Sequence, residues 1–505
     1  MSHQEEPPDA AALEIPEDAI GQRARTAAGW QFLSNGINTA LQMVTSIVLA
    51  RLLIPKDFGI VAMATMVTGL AGIFSDLGLG QALVQRREIT GEHTRSAFWG
   101  TLVMGLLLCG LVVVAAPYAG AYFHEPRMVP VLRLISLTFV LSPFAMVPRS
   151  LLQRDLDFRT PFFAGLASSV AYGGAGITMA LLGYGYWSLV GASLASGLVG
   201  TVAFCILTRY APPLVPAFRG LADLCGFGVG VTGIGIGNYI ATQVDYLAVG
   251  RRLNAEALGL YARAYVFVIY PATLAGTVVP VFLPAFSRLQ HDPARMRSAY
   301  GRATTLIATV FFPVLVIAIV AAPEFIPTVF GEQWRGTVVP AQILVLAGIC
   351  RIALAAADPV TKAAGRVYGQ VWRQMLCGGL IGAGAWFAAP CGIAAVAIAV
   401  AGANLVNYVL ISHLVWCAIG FGVTEHWTAL RGPLLITLAT STVAVICRSV
   451  AIRMGMQPIW TLVVTIAPAV LAAYLMTLFL RLPETQDAVS EIVGFCRRGA
   501  SLIRP

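Results

Sequence analysis

Charged side chains are scarce in this chain: they make up 11% of its 505 residues, against 58% hydrophobic. A soluble domain carries about 25% charged residues, so a water-soluble fold is excluded. Long polar loops are missing too. No connection on the side poor in basic residues exceeds about 15 residues, which leaves no room for a soluble catalytic domain there. The nine cysteines (Cys109, Cys205, Cys225, Cys350, Cys377, Cys391, Cys417, Cys447 and Cys496) stand singly, and the six histidines are scattered. Metal-ligand spacing and paired redox cysteines are therefore absent, and the thiols read as small packing residues. No metal or cofactor is expected. The opening residues lack the basic, apolar, cleavable order of a secretory signal. Residues 1–28 instead hold six acids beside Pro7 and Pro8, the composition of a disordered acidic cytoplasmic tail.

What the chain has is apolar length. Fourteen runs are long enough to cross about 30 Å of hydrocarbon as helices, among them 58–81, 129–148 and 338–357. Barrel strands are excluded, because such strands are about half as long and alternate. The chain also repeats itself. Arg51, Leu53, Gly59, Ala62 and Ala64 recur as Arg251, Leu253, Gly259, Ala262 and Ala264; Asn38 and Val44 recur as Asn238 and Val244. Arg95-Ser96-Ala97-Phe98 returns as Arg297-Ser298-Ala299-Tyr300. The repeat pairs the first span with the seventh. Six spans is an even number, so the two copies keep one orientation about an axis along the membrane normal.

The fold expected is thus an all-α polytopic membrane protein of about fourteen transmembrane helices. Its parts are an N-lobe at 29–208, a Pro-rich cytoplasmic linker at 209–223, a C-lobe at 224–418, two further helices at 432–480 and a cytoplasmic tail at 481–505. Of the 33 lysines and arginines, only Arg51, Lys56, Arg127, Arg251, Arg252, Arg335, Arg448 and Arg453 fall on one side, and three fall within spans. The other 22 share the opposite side, so the positive-inside rule places both termini in the cytoplasm. The net charge of +9 is a topology signal, and no nucleic-acid partner is expected.

The stretches ARLLIPKDFGIVAMAT, FSDLGLGQALVQRREIT and PRSLLQRDLDFRTPFFAG resemble the polysaccharide transporters of the multidrug/oligosaccharidyl-lipid/polysaccharide exporter superfamily. The similarity is to Wzx-type flippases linked to colanic acid and other exopolysaccharides. It implies a bacterial inner-membrane protein, not an enzyme, that moves undecaprenyl-diphosphate-linked oligosaccharide between leaflets. A polysaccharide polymerase and a chain-length regulator are candidate partners. A drug or cation antiporter, a peptidoglycan-precursor flippase and a membrane glycan polymerase remain as alternatives.

Charges within or at the ends of spans are costly and are functional candidates by default. Arg351, Arg263, Arg133, Arg51 and Arg251 are the candidate diphosphate ligands, since guanidinium is a forked donor suited to phosphate. Each has a plainer reading. Arg263 and Arg133 lie within reach of a helix end and could snorkel to headgroups. Arg351 could pair with Asp358, seven residues on and thus on the same helix face. Arg51 and Arg251 could cap their own helices. Asp76 and Asp245 are candidates for ion coupling, set against a helix-terminus role for Asp76 and a salt bridge to Arg251 for Asp245. The seventh span carries Gly226, Gly228, Gly230, Gly233, Gly235 and Gly237. Its GxGxxG lacks the strand-turn-helix setting of a dinucleotide site, leaving close helix packing or a bend. Tyr118, Tyr122, Phe123, Tyr184, Tyr186 and Trp187 read as an interfacial belt.

Overall fold

Among the described residues the apolar runs are helical, some of them interrupted. The computed structural model describes residues 17–479 except 76, 87, 156, 214 and 219, and no strand occurs among the described residues. The first lobe comprises α1 (Glu17–Leu52), α2 (Pro55–Gly72), α3 (Leu79–Gln85), α4 (Gly91–Tyr122), α5 (Met128–Ile135), α6 (Thr138–Arg154), α7 (Arg159–Leu181) and α8 (Trp187–Thr208). The second comprises α9 (Leu221–Arg252), α10 (Ala255–Arg288), α11 (Pro293–Phe325), α12 (Val338–Ala353), α13 (Ala357–Ala363), α14 (Val367–Ala388) and α15 (Ile393–Ile419). α16 (Val423–Arg453) and α17 (Pro458–Phe479) follow.

Among the described residues, ten helical segments are long and apolar enough to cross a membrane. The other four expected spans, at α1, α2 with α3, α9 and α14, are helical but lie outside those ten. Helix starts carry polar caps where the chain turns back. Asn254 Oδ1 accepts from Ala257 N at 2.8 Å at the start of α10, and Asp292 Oδ1 from Arg295 N at 3.0 Å at α11, each satisfying an amide with no partner inside the helix.

The structure departs from the expected boundaries in three places. α1 begins at Glu17, inside the stretch expected to be disordered; past Pro16 the sequence is acidic at its start and rich in Ala, Gln and Arg, which favours helix. The span expected at 58–81 ends at Gly72, and Leu77 (φ 47°) and Gly78 (φ 69°) turn the chain into α3. The run at 338–357 also breaks. The amides of Leu354, Ala355 and Ala357 bond to carbonyls three residues back at 3.2, 3.0 and 2.9 Å, so α12 ends at Ala353 and α13 starts at Ala357.

Packing repeats with the sequence. In the first lobe α1 lies on α7, and in the second α9 lies on α14. Small residues permit both approaches: a Cβ on Gly173 would stand 2.8 Å from Thr45 Oγ1, and one on Gly382 2.8 Å from a Val244 methyl. Two of the stretches that carry the family resemblance meet in the same way. Arg154 on α6 donates to the Leu83 and Arg86 carbonyls that end α3, while Gly80 on α3 faces Met146 and Ser150 on α6. α16 and α17 pack on α11, where Arg448 holds Glu324 through Nε and Nη2 at 2.8–3.0 Å. Along α9 the backbone is helical from Leu221 to Arg252 without a break. Its Gly235 and Gly237 sit against Ile73 and Met375, while the surroundings of Gly226, Gly228, Gly230 and Gly233 lie outside the described residues.

Candidate functional site

The two lobes meet at the end poor in basic residues, and they meet reciprocally. α2 crosses α10 so closely that a Cβ on Gly59 would lie 1.6 Å from the Ala255 carbonyl oxygen, and one on Gly259 would lie 1.9 Å from that of Pro55. Residues 55 and 59 are repeat partners of 255 and 259, so the pseudo-twofold axis runs through this crossing. Only glycine lets two helix backbones approach this closely.

The arginines that end α1 and α9 reach across in matching fashion. Arg51 Nε donates to the Val329 carbonyl at 2.8 Å and Nη2 to that of Thr328, in the π-helical turn Ile326–Phe330 that prolongs α11. Arg251 Nη1 stands 2.6 Å from His124 Nδ1, just past the end of α4, with its guanidinium 4.9 Å from the Tyr122 ring centre. Neither caps its own helix. Each docks on the end of the third span of the other lobe. Trp334 Nε1 and Gln333 Nε2 add bonds to the Ala50 carbonyl at 2.8 and 3.0 Å.

Beneath this layer lies Arg263, 4% exposed, on the second turn-pair of α10. Its guanidinium stands 4.6 Å from the ring centre of Phe58, 4.9 Å from Phe330 and 5.0 Å from Trp334. It donates to Ser46 Oγ and, at 3.2 Å, to the Ser46 carbonyl, while its Nε has no acceptor among the described residues. Ser46 and Phe58 belong to the first lobe, Phe330 and Trp334 to the second. The side chain is turned into the junction, which removes the snorkelling alternative. No carboxylate pairs with it among the described residues. Its repeat partner is Met63, fully buried, so the cation sits on one side only of a nearly symmetric junction.

Asp245, on α9, is wholly buried. Tyr261 Oη donates to its Oδ2 at 2.9 Å, the Tyr246 amide to its Oδ1 at 3.0 Å, and Tyr265 provides a further hydroxyl. The three rings pack edge to face or tilted at 5.5–5.8 Å. Arg251 faces His124 instead, so no Asp245–Arg251 bridge forms. Arg351, exposed on the last turn of α12, is the cation whose field reaches Tyr265. Its expected partner Asp358 is on α13, past the break, where it pairs instead with Lys362 and accepts from Gln370, both at 2.8 Å.

Arg133 is exposed on α5, away from the junction. Asp76 lies outside the described residues. The structure thus gathers Arg51, Arg251 and Arg263 at one junction, holds Asp245 among Tyr246, Tyr261 and Tyr265 in the second lobe, and leaves Arg133 and Arg351 exposed on α5 and α12. Ser46, Phe58, Phe330, Trp334, Tyr261 and Tyr265 escaped the sequence reading. One signal was available for the last two, which lie one helical turn apart in GLYARAYVF and so share a face.

At the opposite end the lobes touch chiefly through α9. Gly220 N donates to Ser96 Oγ at 3.2 Å, and Leu221 packs near Gly100 and Leu79. Further along, Tyr239 Oη donates to the Met66 carbonyl at 2.5 Å. α9 thus touches the first lobe at both ends and between them, at Ser96 beside its start, at Met66 midway and at His124 through Arg251 in its last turn.

A sequence model of the family described as polysaccharide biosynthesis protein matches residues 48–339, the part that contains the junction and the buried aspartate. The lipopolysaccharide biosynthesis protein WzxC of Escherichia coli (strain K12) is 27% identical over 66% of this chain and 68% of its own. The succinoglycan biosynthesis transport protein ExoT of Rhizobium meliloti (strain 1021) is 31% identical over 61% of this chain and 62% of its own. Among solved structures, lipid II flippase MurJ in an inward closed conformation superposes with a TM-score of 0.71 at 12% identity, covering 89% of this chain and 98% of that one. That likeness fixes the fold, and the matched family model fixes the kinship: the chain belongs to the polysaccharide biosynthesis protein family.

Proposed function

We propose that the chain is a flippase that moves undecaprenyl-diphosphate-linked oligosaccharide repeat units from the cytoplasmic to the periplasmic leaflet of the inner membrane, for exopolysaccharide or lipopolysaccharide synthesis. The observation that carries this reading is the reciprocal junction. Two like-oriented lobes that touch through repeat-related glycines and arginines at one end can part there and close at the other, which is alternating access. The family and the transport named for the similar ExoT favour a glycan-bearing lipid over a drug. With the basic-rich end in the cytoplasm, the junction closes the periplasmic side. The diphosphate enters from the opposite end, and parting of the junction releases Arg263 from its ring cage to meet it. The membrane potential assists, contributing about 2.3 kcal/mol for each negative charge moved outward per 100 mV. A polymerase that consumes the flipped unit is the partner this product calls for.

The test is the leaflet distribution of lipid-linked oligosaccharide in cells lacking the protein. Complete repeat units accumulating on the cytoplasmic face are expected; units already outside would refute the assignment.

Asp245 is the residue proposed to couple transport to a cation or proton. A carboxylate buried among hydroxyl and amide donors, with no cation bonded to it among the described residues, has its charge unbalanced, and a proton or a monovalent cation supplies the balance. Asp245→Asn keeps the shape and most hydrogen bonds. It is expected to lower transport about tenfold or more and to remove its response to sodium or pH in reconstituted vesicles. Tyr261→Phe removes one hydrogen bond to the carboxylate, about 1.5–3 kcal/mol, so an effect of about tenfold or more on the same response is expected. Wild-type transport and wild-type ion response in Asp245→Asn would exclude the coupling role.

A further inference from the structure

On the flank of the second lobe, at the end rich in basic residues, a cleft of about 370 Å³ opens between the start of α14 and the end of α15. Gly365 (φ 70°) turns the chain into α14, and Arg366 and Arg373 wall one side while Leu414 walls the other. No acidic residue lines it. Arg373 is held in place: its Nη1 donates to the Gly369 carbonyl at 2.7 Å and its guanidinium lies 4.5 Å from the Trp372 ring centre. Its Nε is buried with no acceptor among the described residues. Around the rim stand Tyr368, 90% exposed, and the exposed Trp372 and Trp416. Further from this end, the exposed residues on the same helices are apolar, Met375, Leu376 and Leu380 on α14 and Leu405 and Val409 on α15.

The geometry points to a lipid site: the cleft binds the phosphodiester headgroup of an anionic glycerophospholipid, whose acyl chains lie along the apolar faces of α14 and α15. Forked guanidinium donors suit phosphate oxygens. Aromatic residues of this type mark the headgroup level of a bilayer, and basic pockets between transmembrane helices on the cytoplasmic side hold anionic headgroups. The occupant is a resident lipid rather than the transported one, because α14 packs on α9 and α15, outside the groove between the lobes. A headgroup held here would anchor the start of α14 and the end of α15 at the leaflet surface, the level against which the lobes rock. The inference requires only that these helices lie in a bilayer, and it stands whatever the transported substrate.

Native mass spectrometry of the purified full chain, with added phosphatidylglycerol or phosphatidylethanolamine, tests it. Wild type is expected to retain phosphatidylglycerol preferentially, and Arg366→Ala/Arg373→Ala to lose about tenfold of that preference. Because Arg373 also braces Gly369, the exposed single variant Arg366→Gln is measured beside it, with a several-fold loss expected at an unchanged thermal midpoint. Arg288→Ala/Arg295→Ala, at the same end but outside the cleft, is expected to bind as wild type does. Unchanged preference in both cleft variants would overturn the site, and so would an equal loss in the Arg288/Arg295 control, which would mean diffuse surface charge. Displacement by millimolar inorganic phosphate would make it a free-phosphate site. Displacement by undecaprenyl diphosphate at tenfold lower concentration than phosphatidylglycerol would make it a substrate site. Either result would also overturn the proposal.

Discussion

Arg263→Ala is expected to lower export about 100-fold while the protein still inserts and folds. Removing one partner from a buried charged contact costs about 2–5 kcal/mol, and about 2.7 kcal/mol, in the lower half of that range, corresponds to such a loss. The guanidinium is 4% exposed and has three aromatic faces within 5.0 Å. Cation–π contacts supply about 2 kcal/mol or more when desolvated, which offsets only part of the cost of burying a charge without a counter-ion. A junction selected for stability alone would place an apolar side chain there, as the repeat does at Met63. On the proposed mechanism the cation is kept at that cost because it meets the diphosphate when the junction parts. Arg263→Lys keeps the charge and loses the fork, so it should recover less than a tenth of export. The measurement is complementation of a deletion strain, with lipid-linked oligosaccharide counted by leaflet. Wild-type export in Arg263→Ala would remove this residue from the substrate path.

A second large effect is expected at the glycine crossing. In Gly59→Val the new Cβ would need to stand where the Ala255 carbonyl oxygen is, 1.6 Å away, and in Gly259→Val 1.9 Å from that of Pro55. The obstructing atoms are backbone, so α2 and α10 must separate. Overpacking of this kind costs about 1–3 kcal/mol or more, enough to move the balance between the closed and open junction by about tenfold to 100-fold. Export should fall by at least tenfold in either variant. A cysteine placed at Ser46 in a cysteine-free background should become reactive to a membrane-impermeant thiol reagent. The two substitutions act on one crossing, so the double variant should be little worse than either single one. Additive losses, or a Ser46 position that stays protected, would mean that the crossing does not gate the periplasmic side.

The contrast between Arg51 and Arg263 shows how far the sequence can be read. Arg51 and Arg251 were picked out by their offset of 200 residues, and that offset, with its even number of intervening spans, already implied lobes of like orientation. What each arginine touches was not readable, because the Val329 and Thr328 carbonyls and the His124 ring lie on the ends of helices in the other lobe. Arg351 and Asp358 mark the same limit within one run. Seven residues share a face only while a helix continues, and three tight hydrogen bonds at 354–357 end it.

The sequence by itself determined that this is a helical membrane protein built of two similar lobes, and which charges stand within its spans. Hydropathy, repeat offset and loop charge are properties of the chain read in order, so they survive without coordinates. Only the tertiary structure decided that Arg263 is caged by Phe58, Phe330 and Trp334, that Asp245 is held by Tyr261 and Tyr265, and that Gly59 and Gly259 form the crossing of the lobes. Those facts depend on how each helix is rotated about its axis and where it crosses its neighbours. Packing between residues from about 16 to about 200 positions apart sets both, and the order of residues along one helix does not encode which neighbour it meets.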